Sequence, residues 1–283
     1  MNINWYPGHM KVTMEQLQSS LRLVDIVMEV IDARIPKSSR NPNLDDILQD
    51  KPRIVALNKS DLADPDENNR WRSHYESLGY GVLMMDALHN RGLGDLKSKS
   101  EEVLEAKRAR DASRGILDTT IKMMIVGIPN VGKSTIINTI SKRSGAKVGN
   151  LPGVTRTNQW IKTNKGIELL DTPGVLWPKF EDREVGINLA ITGAITDRIL
   201  DVEDLAFELI KKLQRIDPAI LPNRYGISEE IEEPLQMMEE IAQRRGAILK
   251  RGEIDYFKIA NVLLGEFRKG TLGRITLEEA RDA

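Results

Sequence analysis

The chain contains no cysteine. That absence removes disulfides, thiolate zinc sites and cysteine nucleophiles together, and it fits a reducing compartment. No apolar run approaches the roughly 20 residues that a membrane-spanning helix needs. The segment Met1–Lys11 lacks a basic region followed by an apolar stretch, so no secretory signal is visible. A cytoplasmic, unanchored protein is expected. There is no excess of basic charge either: 29% of residues are charged and the formal net charge is -1. That balance does not by itself announce a nucleic-acid binder, although local patches remain compatible with it. Neither an internal repeat nor a low-complexity segment is visible.

What is there is an alternation of short apolar runs with longer helical patterns, which predicts βαβ units and a mostly parallel sheet. Ile26–Ile31, Arg53–Leu57, Gly81–Met85 and Ile121–Val126 read as strands. Asn158–Thr163 and Gly166–Leu170, separated by Asn164-Lys165, read as a hairpin. Leu93–Arg110 has helical spacing and runs into a polar linker, Asp111–Thr119. Beyond Trp177-Pro178 helices are expected over Glu203–Arg215, Ser228–Arg244 and Asp255–Lys269. Gly246 and Gly270 stand where helix-ending glycines belong. The expected architecture is an α/β domain over 1–178 and a small all-helical domain over 179–283, each large enough for its own core.

Gly127-Ile128-Pro129-Asn130-Val131-Gly132-Lys133-Ser134 fits G-x-x-x-x-G-K-[ST] between the strand Ile121–Val126 and a helical run from Thr135. In that context the glycines let backbone N–H groups curl around phosphates, and the helix amino terminus adds a favourable dipole. Lys133 is expected at the β- and γ-phosphates and the Ser134 hydroxyl on Mg²⁺. Asn130, Val131, Gly132, Lys133, Ser134 and Thr135 form the candidate phosphate cradle. Asp171-Thr172-Pro173-Gly174 closes the strand Gly166–Leu170. An aspartate there can hold Mg²⁺ through a water, and the Gly174 N–H can reach a γ-phosphate oxygen. Alone, D-x-x-G at a strand end is only a turn; beside the phosphate loop it is the second half of a magnesium site.

Asn58-Lys59-Ser60-Asp61 follows the strand Arg53–Leu57 and fits N-K-x-D. A carboxylate at Asp61 can accept from both N1–H and the 2-amino group of guanine, an arrangement adenine does not offer. A buried pairing of this kind rejects the wrong base because its own groups would be left unpaired. Asn58 and the Lys59 stem would brace loop and base, and Asp86-Ala87 occupies the place of a supporting base contact. Thr155, within Pro152-Gly153-Val154-Thr155-Arg156, can complete the Mg²⁺ shell while a γ-phosphate is present, with Thr157 the competing candidate. Lys142, Arg143, Lys147, Arg156, Lys162 and Lys165 form a positive stretch around this loop. It can meet the phosphates of a nucleic acid or of a nucleotide, or simply be a solvated face.

In the usual GTPase order the phosphate loop precedes D-x-x-G and N-K-x-D comes last; here N-K-x-D comes first. The rearranged set resembles the circularly permuted GTPases, in particular the bacterial ribosome biogenesis GTPase A family (YlqF/RbgA type). Trp5-Tyr6-Pro7-Gly8-His9-Met10, Asp32-Ala33-Arg34-Ile35-Pro36 and Leu272-Gly273-Arg274-Ile275-Thr276-Leu277-Glu278 carry the same resemblance. It covers almost the whole chain. It implies a GTP hydrolase, binding GTP and GDP, that acts late in assembly of the large (50S) ribosomal subunit and is stimulated by that particle. It also implies contacts of the helical domain with rRNA and ribosomal proteins. A monomer is expected away from the particle. Where many GTPases carry a water-orienting glutamine after D-x-x-G, this chain has Val175; the resemblance nominates His9 instead, an imidazole that can titrate near working pH. Asn130 matches an asparagine that in related GTPases helps hold K⁺ beside the phosphates. The permuted order also joins the γ-phosphate-sensing Asp171–Gly174 directly to the helical domain, so nucleotide state can re-aim that domain. The rival functions are an ATP-dependent P-loop kinase, opposed by Asn58–Asp61, and a GTP-regulated module that does not hydrolyse.

Overall fold

The computed structural model describes residues 15, 17–115, 120–144, 147–149, 159–163, 166–172, 182–195 and 201–282. Its centre is a sheet built from β1 (Ile26–Asp32), β2 (Arg53–Asn58), β3 (Gly81–Met84), β4 (Ile121–Val126), β5 (Lys147–Gly149), β6 (Gln159–Lys162) and β7 (Ile167–Asp171). The strand order is β3-β2-β1-β4-β7-β6-β5. Pairs β3-β2, β2-β1, β1-β4 and β4-β7 are parallel, while β7-β6 and β6-β5 are antiparallel. Every residue of β1 and β2 is buried, as expected of central parallel strands covered on both faces. The near-continuous Ile/Val/Leu runs of these strands have that cause. Glu29 is the exception inside β1. Burial pushes its carboxyl up, against the attraction of Arg40 and Arg53, whose nitrogens lie 3.3 Å from its Oε2.

Around the sheet lie α1 (Asn43–Leu48), α2 (Pro65–Ser77), α3 (Leu96–Val103), α4 (Glu105–Ser113) and α5 (Lys133–Ser144). The start of α2 is fixed locally: the Asp64 carboxylate accepts from the Asp66 and Glu67 N–H groups, and Pro65 occupies the first turn. Trp71 and Tyr75, one turn apart, form its buried face. The predicted helix over Leu93–Arg110 is broken at Leu104, which is only 2% exposed. There φ is −92° and ψ 1°, and the side chain joins the sheet's apolar core. Helical structure then persists to Ser113, into the stretch expected to be linker.

The remaining helices are α6 (Arg183–Ile191), α7 (Val202–Ile216), α8 (Ile220–Tyr225), α9 (Pro234–Arg244) and α10 (Tyr256–Arg268). Along α7 the residues Leu205, Leu209, Ile210 and Leu213 form one stripe, buried against α9 and α10. Truncating one of them to alanine would cost about 2–5 kcal/mol. The pattern over Ser228–Arg244 becomes helix only from Pro234, whose ring suits the first helical position. The short α8 precedes it and ends at Gly226 in the left-handed region, φ 65°. α6 serves two cores: Leu189 packs with the sheet residues, whereas Ile187, Ala190 and Ile191 pack with α7 and α10.

Candidate nucleotide-binding site

Because β1, β2, β4 and β7 run parallel, their carboxyl ends meet at one edge of the sheet, where open α/β sheets place their ligands. Register brings the ends together: Asp32 lies beside Asn58, and Ile125 beside Asp171. The segments read as phosphate loop, N-K-x-D and D-x-x-G begin at those ends.

In the phosphate loop, Lys133 opens α5 and its side chain curls back under the loop. Its Nζ donates to the carbonyls of Gly127 at 3.0 Å and Ile128 at 2.9 Å. Burial lowers this ammonium to about 8, with Asp171 pulling the other way. An incoming phosphate would favour the charged form that burial disfavours. Gly132 has φ 103°, and a Cβ there would stand 2.3 Å from Asn58 Nδ2; only glycine lets the two loops approach so closely. Asn130 adopts φ 59°, and its side-chain amide donates to the Gly193 carbonyl, 2.8 Å away just past α6.

The N-K-x-D loop is tied to the phosphate loop by its own side chains. Asn58 Nδ2 donates to the Val131 carbonyl at 2.7 Å, and its Oδ1 accepts from the Ala87 N–H at 3.1 Å. Lys59 Nζ donates to the Asn130 carbonyl and to Asp32 Oδ2, each at 2.9 Å. Lys59 itself sits at φ 59°, an unfavourable conformation for a long side chain that these contacts hold in place. Ser60 is anchored to the Met85 carbonyl through both its N–H and its hydroxyl. The Asp61 side chain stays 25% exposed, with Oδ2 4.0 Å from His89 Nδ1. That imidazole lies 2.8 Å from Asp86 Oδ2, and Asp86 Oδ1 accepts the His89 N–H at 3.0 Å. Asp61, Asp86 and His89 therefore form one polar rim beside the loop. Of the pair Asp86-Ala87, expected as a supporting base contact, the Ala87 N–H is engaged with Asn58.

Asp171 ends β7 half-buried. Burial raises its carboxyl, while Lys133 and the Thr172 N–H act in the opposite sense. Thr172 is buried and its hydroxyl donates to the Ile125 carbonyl at 2.5 Å, locking the end of β7 to β4. The Ser134 hydroxyl is exposed in the first turn of α5. A hydroxyl and a carboxylate flanking one buried ammonium are the hard oxygen donors that Mg²⁺ takes alongside phosphate oxygens. Thr135 follows in the same turn, partly buried. His9, Thr155, Thr157, Gly174 and Val175 lie outside the described residues.

Two further groups of residues brace the site without a site signal in the sequence. Asp32 accepts from Arg34 Nε at 2.9 Å and Nη2 at 2.7 Å, besides Lys59. Burial alone would raise the Asp32 carboxyl, but Arg34 and Lys59 outweigh it and hold it well below the usual carboxylate range. The second group is the segment 274–278, which returns from α10 to the N-K-x-D loop: the Ile275 N–H donates to the Leu62 carbonyl at 2.9 Å. Asp32-Ala33-Arg34 and the 272–278 motif were visible as text, but nothing in their spacing points to these partners.

A sequence-family profile described as "50S ribosome-binding GTPase" matches residues 122–245. Ribosome biogenesis GTPase A of Bacillus licheniformis is 43% identical, the match covering 100% of both chains. The protein of that name in Priestia megaterium is 45% identical over 100% of this chain and 99% of its own. A solved GDP-bound structure of TM YlqF superposes with a TM-score of 0.68 at 26% identity, covering 94% of this chain and all of that one. Full-length identity at this level, on a sheet whose strand order brings the permuted motifs to one edge, shows that the chain belongs to the ribosome biogenesis GTPase A family.

Proposed function

We infer that this chain binds GTP at the carboxyl edge of the sheet and hydrolyses it during assembly of the large ribosomal subunit. The observation that carries the reading is the bond from Asn58 Nδ2 to the Val131 carbonyl. It makes the base-selecting loop and the phosphate-binding loop one rigid unit, as a ligand touching both requires. Asp61 then selects guanine, and Lys133 with the loop amides Asn130 to Thr135 holds the phosphates. Ser134 and Asp171 would hold Mg²⁺, Thr155 joining them in the triphosphate state, and the ion would supply fixed positive charge to the phosphates. Lys133 adds its own charge as the bond to the leaving oxygen weakens. Gly174 donates to the γ-phosphate, and His9 orients the attacking water in place of the glutamine that Val175 replaces. Asn130 still has its side-chain oxygen for K⁺, since its amide nitrogen serves Gly193.

The division into a GTPase domain over 1–178 and an rRNA-contacting helical domain over 179–283 belongs to the same proposal. So do a late step in assembly, contacts with ribosomal proteins, a monomeric state away from the particle, and a cytoplasmic location. Among the described residues no helix is long and apolar enough to cross a membrane. The coupling we propose runs from nucleotide state to particle binding and release.

The test is GTP hydrolysis by the full chain with and without purified large subunits, in K⁺ and in Na⁺ buffers, for the wild type and His9→Ala. The reading expects stimulation by subunits, faster turnover in K⁺, and loss of stimulation in His9→Ala with GDP binding retained. Binding without hydrolysis, even with subunits, would make the chain a GTP-regulated module instead. Equal competition by ATP would overturn guanine selection.

A further inference from the structure

The segment after α10 does not end on the helical core; it crosses back to the sheet and lies along the loop Asn58–Asp64. Arg274 Nε donates to the Ala63 carbonyl at 3.0 Å, and its Nη2 donates to the Ser60 carbonyl at 3.1 Å. Between those two points the Ile275 N–H takes the Leu62 carbonyl at 2.9 Å. The Asp64 N–H then donates to Thr276 Oγ1 at 3.0 Å. These bonds reach the backbone of Ser60 on one side of Asp61, and of Leu62, Ala63 and Asp64 on the other. The far end of the segment is fastened as well. The Glu278 carboxylate accepts the Lys37 N–H at 2.7 Å and Asn188 Nδ2 at 2.9 Å, and the Trp71 indole donates to the Glu278 carbonyl at 3.0 Å.

A planar guanidinium that spans two carbonyls fixes their separation and direction in a way a single-point ammonium does not. The loop it spans needs such a restraint, because Lys59 at its start is held in the left-handed region, φ 59°. Among the described residues the Asp61 carboxylate makes no side-chain hydrogen bond, and its contact with His89 Nδ1 is a long one at 4.0 Å, so the position of the backbone is the main constraint on where it points.

We propose that Arg274 is a positioning residue for guanine recognition. From the far end of the chain it fixes the backbone on both sides of Asp61, so that the carboxylate meets the base edge. This rests on the reading of Asp61 given under Proposed function. It makes guanine affinity depend on how the last segment of the helical domain is seated, and by reciprocity makes that seating depend on bound nucleotide.

The test compares GDP with IDP, whose base lacks the 2-amino group, by equilibrium binding to the full chain. A brace that only stabilised the fold would weaken both nucleotides together. A positioning role removes the part of the affinity owed to Asp61. Arg274→Ala should therefore weaken GDP about tenfold, equivalent to one or two lost hydrogen bonds, and compress the GDP-over-IDP preference. Arg274→Lys, which keeps the charge without the fork, should fall between, and serves alone should the alanine variant not fold. In an Asp61→Ala background, Arg274→Ala should cost almost nothing further. An unchanged GDP-over-IDP preference in both Arg274 variants would overturn the proposal while leaving Asp61 in its role. Lack of that preference in the wild type would overturn the reading of Asp61 and this inference with it.

Discussion

The Asn58 side-chain amide donates to the Val131 carbonyl across 2.7 Å, joining residues 73 positions apart in the chain. Its oxygen simultaneously takes the Ala87 N–H. One amide, only 3% exposed, thus satisfies backbone groups of two other loops. Asn58→Ala would leave a buried carbonyl and a buried N–H unpaired, at about 1–3 kcal/mol each. We expect GDP affinity by calorimetry to fall about a hundredfold. Asn58→Asp should be no better, because it sets an acceptor against the Val131 carbonyl. A variant binding GDP within twofold of the wild type would contradict this coupling.

Gly132 should tolerate no side chain. An alanine there would place Cβ 2.3 Å from Asn58 Nδ2 while holding φ at 103°. The loops must separate or the backbone must strain, at a cost of about 1–3 kcal/mol. Thermal unfolding of Gly132→Ala should show a lower midpoint and little stabilisation on adding GDP, whereas the wild type should shift upward by mass action. Equal ligand-induced shifts would argue against the close approach.

The Asp32–Arg34–Lys59 cluster should give the fold a component of acid sensitivity. Asp32 is depressed in the folded state, so its contribution is present above its ordinary value of 3.8. It drains as pH falls from there toward the folded value, where both states bind the proton. Urea unfolding followed from pH 5 to pH 3 should lose stability more steeply in the wild type than in Asp32→Asn. At neutral pH the variant should be less stable by about 3–5 kcal/mol, since Arg34 keeps its burial and loses its anion. Parallel pH profiles would contradict the assignment.

The motifs were legible because phosphate and base chemistry demand particular residue types at short spacing, and each sits where an apolar strand ends. Ile121–Val126 was bounded correctly for that reason, and the two strands of the hairpin pair as expected, Gln159–Lys162 with Ile167–Asp171. α2 escaped because most of its residues are charged or polar, although Asp64-Pro65 marked its start. α6 escaped because buried residues occupy nearly its whole circumference past Val185, leaving no amphipathic stripe to read. β5 offers only three residues at the sheet edge. The contacts of Arg274 were not legible at all: they cross 214 positions to Ser60 and end on main-chain carbonyls, which leave no trace in side-chain pattern. The same holds for Asn130 and the Gly193 carbonyl.

The proposed guanine selection rests most directly on Asp61, and an exchange of base and residue tests it. Equilibrium binding of GDP and XDP should be measured for the wild type and Asp61→Asn. Xanthine presents a carbonyl where guanine presents its amino group, and the asparagine amide can donate to it. We predict that the wild type prefers GDP, and that Asp61→Asn loses GDP affinity by about a hundredfold or more while gaining XDP. Retention of the wild-type preference by Asp61→Asn would contradict the account.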